Sequence, residues 1–214
     1  MDLLDRVYPV AAPLLDRVDA SLAASGAPAD HPIWPLLRRL GSLPGELVVH
    51  LAGVSRDGLT GASDALRRYA GGYRQRADEV PMPAAWRGPA AEAYGATWSG
   101  LAGQLAGGPD TLTGRLEDTA SYLDDVTAWL GRTRRALAGT VAECLGSAEA
   151  LALKASSDPV AAATIGAHIL AVAAEALDDG RALHDRWAGR LAELAYRPVD
   201  PAPAGTTSAQ FRLG

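Results

Sequence analysis

Apolar residues recur at helical spacing along most of the chain. The clearest pattern begins near Asp110, where apolar side chains follow at steps of three, four and seven over about 40 residues. Its positions are Leu112, Leu116, Ala120, Leu123, Val126, Leu130, Leu137, Val141, Leu145 and Leu151. This pattern predicts one long helix of a bundle or coiled coil. Since no long stretch alternates with period two, we expect almost no strand and an all-α fold.

The first 45 residues predict two helices. The apolar face of the first consists of Leu3, Val7, Leu14, Val18 and Leu22. Pro9 and Pro13 should kink this helix or delay its start. It should end at Gly26-Ala27-Pro28. Asp30 is then expected to cap a short second helix, with Pro32 in its first turn.

A third helix is expected from about Glu46 to Val80. Gly53, Gly58 and Gly61 weaken it, because each glycine inside a helix costs about 1 kcal/mol relative to alanine. These glycines mark a loop or allow another backbone to come close. They do not have the spacing of a phosphate-binding loop.

Two further helices complete the prediction. Helical sequence resumes from Pro89 to about Ala106, and Gly107-Gly108-Pro109 then turns the chain or only kinks it. The last helix is expected to begin with Asp158 as its cap and Pro159 at its first position. It should end near Tyr196, because several prolines follow.

These elements together predict an elongated helical bundle built on a long helical hairpin, with extra N-terminal and C-terminal helices. We divide it into a helical extension (1–45), a hairpin bundle (46–197) and a tail (198–214) whose composition is typical of disorder. Apolar residues make up 48% of the chain but include only one Phe and two Met. Leucine, valine and alanine must therefore fill the interior, which favours closely packed helices.

Charge and hydropathy exclude several classes of function. The net charge of −5 and the pI near 5.3 are atypical of a nucleic-acid-binding protein and give no reason to expect binding to anionic membranes. The longest uncharged apolar run, residues 160–174, is shorter than the roughly 20 residues that span a bilayer. The first residues lack the basic and apolar regions of a signal peptide, so export would need a leaderless route.

Catalytic or metal chemistry is not indicated. The four histidines have no metal-ligand spacing, and His168, within an apolar helix, is expected to be a packed or interface side chain. The pairs Asp124-Asp125 and Asp178-Asp179 point in different directions on a helix and should be solvated. Cys144 is expected to be buried and inert. We therefore predict no enzyme activity, no catalytic or metal-binding residue and no cofactor.

The most informative motif is Trp86-Arg87-Gly88, which lies among three prolines between two predicted helices. Ala90-Ala91, Tyr94 and Trp98 follow it. Over residues 46–151, this arrangement resembles the WXG family of small helical proteins exported by type VII secretion systems, and more broadly the PPE-like helical domains. In those proteins a Trp-x-Gly lies at the turn of a long helical hairpin, and small and aromatic residues open the second helix.

Three other tryptophans are also followed two residues later by glycine, namely Trp98, Trp129 and Trp187. Only Trp86 is framed by helix-breaking residues. We expect the other three indoles to pack inside the bundle.

The same families carry a C-terminal Tyr-x-x-x-Asp/Glu export signal, and Tyr196 and Asp200 match it, with Pro198 between them. The resemblance implies a non-catalytic secretion substrate or secretion-associated protein, located outside the cell or in its envelope. Trp86, Gly88 and Tyr94, together with Tyr196 and Asp200, would form its recognition surface, within one chain or across a helical partner. Candidate partners are another helical protein, a second copy, and the ATPase or a chaperone of the secretion machinery.

An alternative interpretation needs no export. The chain could be a cytosolic helical module, such as a dimerising scaffold or the neutralising partner of a toxin. The apolar stripe from Leu112 to Leu151 would then provide the pairing surface.

Overall fold

The structure is a computed structural model of the 214-residue chain and describes residues 1–79 and 86–194. This part of the chain forms eight helices and no strand, so the predicted all-α fold is confirmed. The helices are α1 (Leu3–Ser25), α2 (Ile33–Leu40), α3 (Pro44–Gly53), α4 (Asp57–Asp78), α5 (Pro89–Leu105), α6 (Leu112–Leu145), α7 (Ala148–Ala155) and α8 (Pro159–Leu194).

The hydrophobic core lies where α1, α3 and α7 pack against the second half of α6 and the first half of α8. Its largest fully buried apolar side chains include Leu4, Leu15, Ile33, Leu137, Ile165, Ile169 and Leu170. The core therefore includes residues from both sides of position 45. Helices α1 and α2 contribute to the same interior as α6 and α8.

A close approach between helices fixes α2 against α8. A Cβ atom added to Gly166 would come within 2.8 Å of Ile33 Cδ1 and 3.0 Å of Pro44 Cγ. Only glycine fits at this contact without a shift of its neighbours, because both distances are shorter than ordinary packing contacts. The small residues of α8 thus allow other helices to pack closely, as the alanine-rich composition predicts.

A second part of the molecule consists of α4, α5, the first half of α6 and the second half of α8. Here α4 and α6 run antiparallel, since Arg67 pairs with Asp124 and Arg74 pairs with Glu117 further along. Helix α4 buries only Ser63, Ala70 and Ala77. Polar pairs therefore make up much of the contact between these helices, and few large apolar side chains are buried there.

The capping of α1 excludes one of the two effects predicted for Pro9 and Pro13, a delayed start of the helix. Asp2 and Asp5 form a capping box, in which Asp2 Oδ1 accepts from Leu4 N at 3.0 Å and Asp5 Oδ2 accepts from Asp2 N at 2.7 Å. This box starts the helix at Leu3, and the helix continues through Pro9 and Pro13 without a delayed start.

The predicted cap of α2 is also wrong. Asp30 does not cap this helix, because His31 Nδ1 accepts from the backbone N–H of Ile33 at 3.2 Å. By contrast, Asp158 caps α8 as predicted. Its Oδ1 accepts from Val160 N at 2.9 Å, and Pro159 occupies the first helical position.

The expected third helix is divided into α3 and α4. Helix α3 ends at Gly53, and residues 54–56 separate it from α4. Arg134 of α6 donates to the carbonyl oxygens of Leu51, Ala52 and Val54. These bonds satisfy carbonyl groups that a continuing helix would otherwise use, which explains the break at this position.

The expected long helix through Leu151 is divided as well. Helix α6 ends at Leu145, and α7 follows at an angle of 59°. The sequence favours this break because Gly146 follows α6 and Ser147 caps α7, its hydroxyl accepting from Ala150 N at 3.2 Å.

The apolar stripe on this segment is not a free surface. Leu130, Leu137 and Val141 are buried within the chain, whereas Leu112 and Leu151, at its two ends, are exposed. The stripe therefore packs against the chain's own helices and cannot provide the continuous pairing surface of the alternative interpretation.

The Gly107-Gly108-Pro109 segment separates two helices. Helix α5 ends at Leu105, and α6 begins after Thr111, whose hydroxyl accepts from Gly114 N. Gly107 has a φ of +133°, which favours glycine. The segment is thus a break between helices and not a kink inside one.

Candidate functional site

Three aromatic side chains form a row at the start of α5. The ring centroids of Trp86 and Tyr94 are 5.2 Å apart at an interplanar angle of 52°, and those of Tyr94 and Trp98 are 6.4 Å apart at 17°. Trp86 is 42% exposed and Tyr94 is 37% exposed. The structure therefore brings two of the predicted recognition residues, Trp86 and Tyr94, into contact on the surface.

Gly88 has a backbone role in this arrangement. It is the N-cap of α5 with φ +104° and ψ 178°, a conformation that is almost restricted to glycine. Its carbonyl oxygen accepts from Ala91 N at 2.9 Å and from Glu92 N at 3.1 Å, and Pro89 occupies the first helical position. The glycine of the Trp-x-Gly motif thus allows the chain to turn into α5 directly after the exposed indole.

Little of the surface of α5 is buried by the rest of the described chain. Ala91 is its only buried residue, and Glu92 is its only charged one. Leu101, two turns after Tyr94, is 42% exposed. A helix with a single charged residue and with exposed aromatic and aliphatic side chains is typical of a surface that contacts another protein.

The indole of Trp98 adds to this picture. Its Nε1 atom is buried without a hydrogen-bond partner among residues 1–79 and 86–194. A buried donor without an acceptor is uncommon in folded proteins. Packing inside the bundle, the role predicted for Trp98, therefore does not explain the unpaired N–H group of its indole.

The other two predicted packing indoles are confirmed. Trp129 Nε1 donates to the carbonyl oxygen of Ala176 at 2.9 Å, and its ring lies over Gly180. Trp187 Nε1 donates to Asp125 Oδ2 at 2.9 Å, and its ring contacts Tyr122 at a centroid distance of 5.7 Å. Both indoles hold α8 against α6.

Tyr196 and Asp200 lie outside the described residues, so the structure does not place them relative to Trp86. It does place the preceding part of α8. Arg190 pairs with Asp118 near the start of α6, at 2.5 Å. Within the described part of the chain, α5 and α8 do not contact each other.

The remaining candidate chemistry is structural. Cys144 is buried as predicted, and burial, together with nearby carboxylates, raises the pKa of its thiol to about 11. Asp124 pairs with Arg67 and accepts from Ser63 Oγ at 2.6 Å, and these hydrogen bonds lower the pKa of its carboxyl group. The side chain of His168 is exposed, so of the two alternatives predicted for it, packing in the core is wrong and a place at an interface stays a prediction. Within residues 1–79 and 86–194, no three His, Cys, Asp or Glu side chains are grouped to hold a metal ion.

One important residue was missed from the sequence. Arg134 is only 3% exposed, and its guanidinium binds Asp2, Asp5 and the end of α3. The sequence contains a signal for this residue. Arg134 lies four residues after Leu130 and three before Leu137, so the helical spacing puts it on the apolar face of α6. A charged residue at such a position indicates a buried ion pair.

Comparison with known proteins gives no relative. No protein-family model matches the chain, and neither a curated protein nor a solved structure is significantly similar to it.

The apolar character of α8 is also notable. This helix is long and apolar enough to cross a membrane by length and composition, and half of its most apolar segment is buried inside the fold. Core helices of soluble proteins meet the same criterion. The prediction that no helix spans a membrane therefore stays a prediction.

Proposed function

We propose that this protein is a non-catalytic type VII secretion substrate or secretion-associated protein that acts through protein–protein contacts. The observation that supports this best is the contact between two exposed aromatic rings, Trp86 and Tyr94, at the start of α5. Aromatic side chains at the centre of an interface contribute strongly to binding. The export role itself rests on the resemblance of the Trp-x-Gly segment to WXG and PPE-like proteins.

Within this proposal, α4 and α5 act as a helical hairpin with Trp86 and Gly88 at its turn. The two helices contact each other, although α4 packs more extensively on α6. The recognition surface combines Trp86, Gly88 and Tyr94 with Tyr196 and Asp200, from the same chain or from a helix-paired partner. The partners are another helical protein or a second copy, and the ATPase or a chaperone of the secretion machinery.

The test is export from the native host. Wild type, Trp86→Ala, Tyr196→Ala and the control Tyr69→Ala are compared in culture supernatant, with a cytosolic marker to detect lysis. Tyr69 is a suitable control because it is a 63% exposed aromatic residue on α4. Circular dichroism verifies that each variant is helical.

We expect wild type and Tyr69→Ala in the supernatant, and the other two variants inside the cells. Export of folded Trp86→Ala at the wild-type level would contradict the proposed role of the aromatic pair. Retention of all four proteins in intact cells would contradict export itself.

The alternative function is a cytosolic dimerisation or partner-binding module. One observation supports this alternative: helix α5 is largely exposed and carries a single charged residue. Such a module would bind through α5, since the stripe along α6 is occupied by the chain's own core. Two results together would favour this alternative function. The wild-type protein would stay in the cytosol, and it would form a dimer that Leu101→Glu dissociates.

A further inference from the structure

A cleft of about 530 Å³ lies between the second half of α1 and the end of α7. This volume is within the range of pockets that hold small organic molecules. Its polar lining consists of two cationic side chains and four serines, namely Arg17, Lys154, Ser21, Ser25, Ser156 and Ser157. None of the described residues that line it carries a carboxylate. The charged groups of this cleft, which we call the serine cleft, are therefore both positive, although the net charge of the chain is −5.

The two cations of the serine cleft are available to a ligand. Arg17 and Lys154 are both exposed, and neither forms an ion pair with a residue in 1–79 or 86–194. Arg17 Nη1 donates to the carbonyl oxygen of Leu153 at 3.5 Å, which joins α1 to the end of α7. The other N–H groups of this guanidinium, and the ammonium group of Lys154, have no partner in the same part of the chain. The cleft therefore offers positive charge together with hydrogen-bond donors.

A buried hydroxyl group in the same cleft also lacks a partner. Ser21 is 7% exposed, and its Oγ atom has no hydrogen-bond partner among residues 1–79 and 86–194. Hydroxyl groups inside a helix can donate to the carbonyl oxygen four residues earlier, as Ser121 does to Glu117 at 2.9 Å. Ser21 makes no such bond. Because buried polar groups are normally paired, a ligand oxygen that accepts from Ser21 would remove this deficit.

The helix ends beside the cleft do not cancel its positive charge. Helix α1 ends at Ser25 and α7 ends at Ala155, and the carboxyl end of a helix carries about half a negative charge. Two such ends offset about one of the two cationic charges. Some of the carbonyl groups there are also bonded within the chain, since Leu22 O accepts from Gly26 N at 2.9 Å. The cleft keeps an excess of about one positive charge.

We propose that the serine cleft binds the phosphate group of a small soluble molecule. A phosphate group carries a charge of about −1.5 to −2 at pH 7 and three strong acceptor oxygens. It therefore matches two cations and several hydroxyl groups better than a carboxylate, which has one charge and two oxygens. The guanidinium of Arg17 can bind two of the oxygens side by side, and Lys154 acts as a point charge.

The size of the cleft indicates a phosphorylated organic molecule. A phosphate group alone fills only part of it, and the remaining lining includes Ala20 and Ala24 of α1. Small apolar side chains leave space for the organic part of the ligand. This inference concerns the opposite side of the bundle's chemistry from protein contacts and does not depend on export.

The experiment titrates the full-length, ¹⁵N-labelled chain with inorganic phosphate at constant ionic strength and is followed by NMR. The backbone amide signals of the four serines that line the cleft report binding there. We expect these signals to shift and saturate, with a dissociation constant on the order of millimolar. Acetate, as the carboxylate probe, should bind more weakly by about fivefold or more.

Substitutions of the two cations test the assignment. Arg17→Ala and Lys154→Ala should each weaken phosphate binding about tenfold, because each removes charge-assisted hydrogen bonds. Arg17→Lys should weaken it less, since the charge remains and only the two-pronged geometry is lost. Arg6→Ala is the matched control, because it removes an exposed arginine of α1 outside the cleft and should leave binding unchanged.

Ser21→Ala gives a second readout, which separates binding from folding. It should weaken phosphate binding but should not lower the thermal stability of the ligand-free protein, because the hydroxyl group has no partner to lose. Loss of stability without any change in phosphate binding would contradict the proposed role of Ser21. Circular dichroism of every variant verifies that it is folded.

Two further results would overturn the proposal. One is a set of shifts that do not saturate, or that Arg17→Ala and Lys154→Ala leave unaltered. The other is sedimentation of the protein with vesicles that contain phosphatidic acid, without saturable binding of inorganic phosphate. That result would assign the cleft to a lipid head group and not to a soluble molecule.

Discussion

Arg134 Nε donates a hydrogen bond to Asp2 Oδ2 at 2.7 Å, across 132 residues of the sequence. The same guanidinium binds Asp5 Oδ1 at 2.5 Å and the carbonyl oxygen of Ala52 at 3.1 Å. One buried side chain of α6 therefore joins the first turn of α1 to the last turn of α3. These contacts fix the N-terminal helices against the core.

Replacement of Arg134 tests this linkage. Arg134→Ala should lower the free energy of unfolding by about 3–5 kcal/mol, because it leaves carboxylates and carbonyl groups without their buried partner. Arg135→Ala is the matched control on the exposed face of α6 and should change stability by less than about 0.5 kcal/mol. Urea unfolding measures both. Equal effects of the two substitutions would show that the buried cluster is not important for stability.

The stability should also depend on pH through Asp2. The hydrogen bond from Arg134 is the main cause that lowers the pKa of the Asp2 carboxyl group from 3.8 to about 2. Because the folded-state pKa is the lower one, the contribution is complete above about pH 4 and is lost as the pH falls toward 2. The shift corresponds to about 2 kcal/mol.

The measurement compares urea unfolding of wild type and Asp2→Asn at several pH values. The difference in stability should be largest at neutral pH and should shrink between pH 4 and pH 2. A difference that stays constant over this range would contradict ionisation of Asp2 as its source.

Gly166 provides a test of packing. Gly166→Ala should destabilise the protein by about 1–3 kcal/mol, because the added methyl group overpacks the contact with Ile33 and Pro44. Gly189→Ala, in the same helix, meets no atom within 4 Å and should stabilise by up to about 1 kcal/mol through helix propensity. Thermal unfolding of both variants measures the difference. Stabilisation by Gly166→Ala would contradict the described approach of α2 to α8.

Gly88 tests the geometry of the site. Gly88→Ala should cost about 1–3 kcal/mol locally, because φ +104° is strained for alanine. Hydrogen exchange at the first turns of α5 should become faster, while exchange in the core helices stays unchanged. Gly100→Ala, inside α5, should slow or preserve exchange there. Unaltered protection of α5 in Gly88→Ala would show that this conformation is not required.

The sequence predicted those parts of the fold that depend on local spacing. The period of apolar residues identified the helices, and Asp158-Pro159 identified the start of α8. The two helices that were predicted too long are divided for different reasons. The break after Gly53 depends on Arg134, about 80 residues away, whereas the break at Gly146 has a local cap that the sequence contains.

The site was predictable to a similar extent. The position of Trp86 between helix-breaking residues indicated the start of α5, and the structure adds the conformation of Gly88 as its physical reason. Helix α4 packs more extensively on α6 than on α5. This packing depends on ion pairs between residues far apart in the sequence, such as Arg74 with Glu117, which the period of apolar residues does not reveal.

The central claim is that the aromatic surface at the start of α5 binds another protein chain. Photo-crosslinking in the native host tests it most directly, with a photoreactive phenylalanine analogue introduced at Tyr94 or, as the control, at the more exposed Tyr69. We predict a discrete cross-linked species from position 94 that is lost in Trp86→Ala and does not form from position 69. Absence of a cross-link at position 94, or the same products from both positions, would contradict the account.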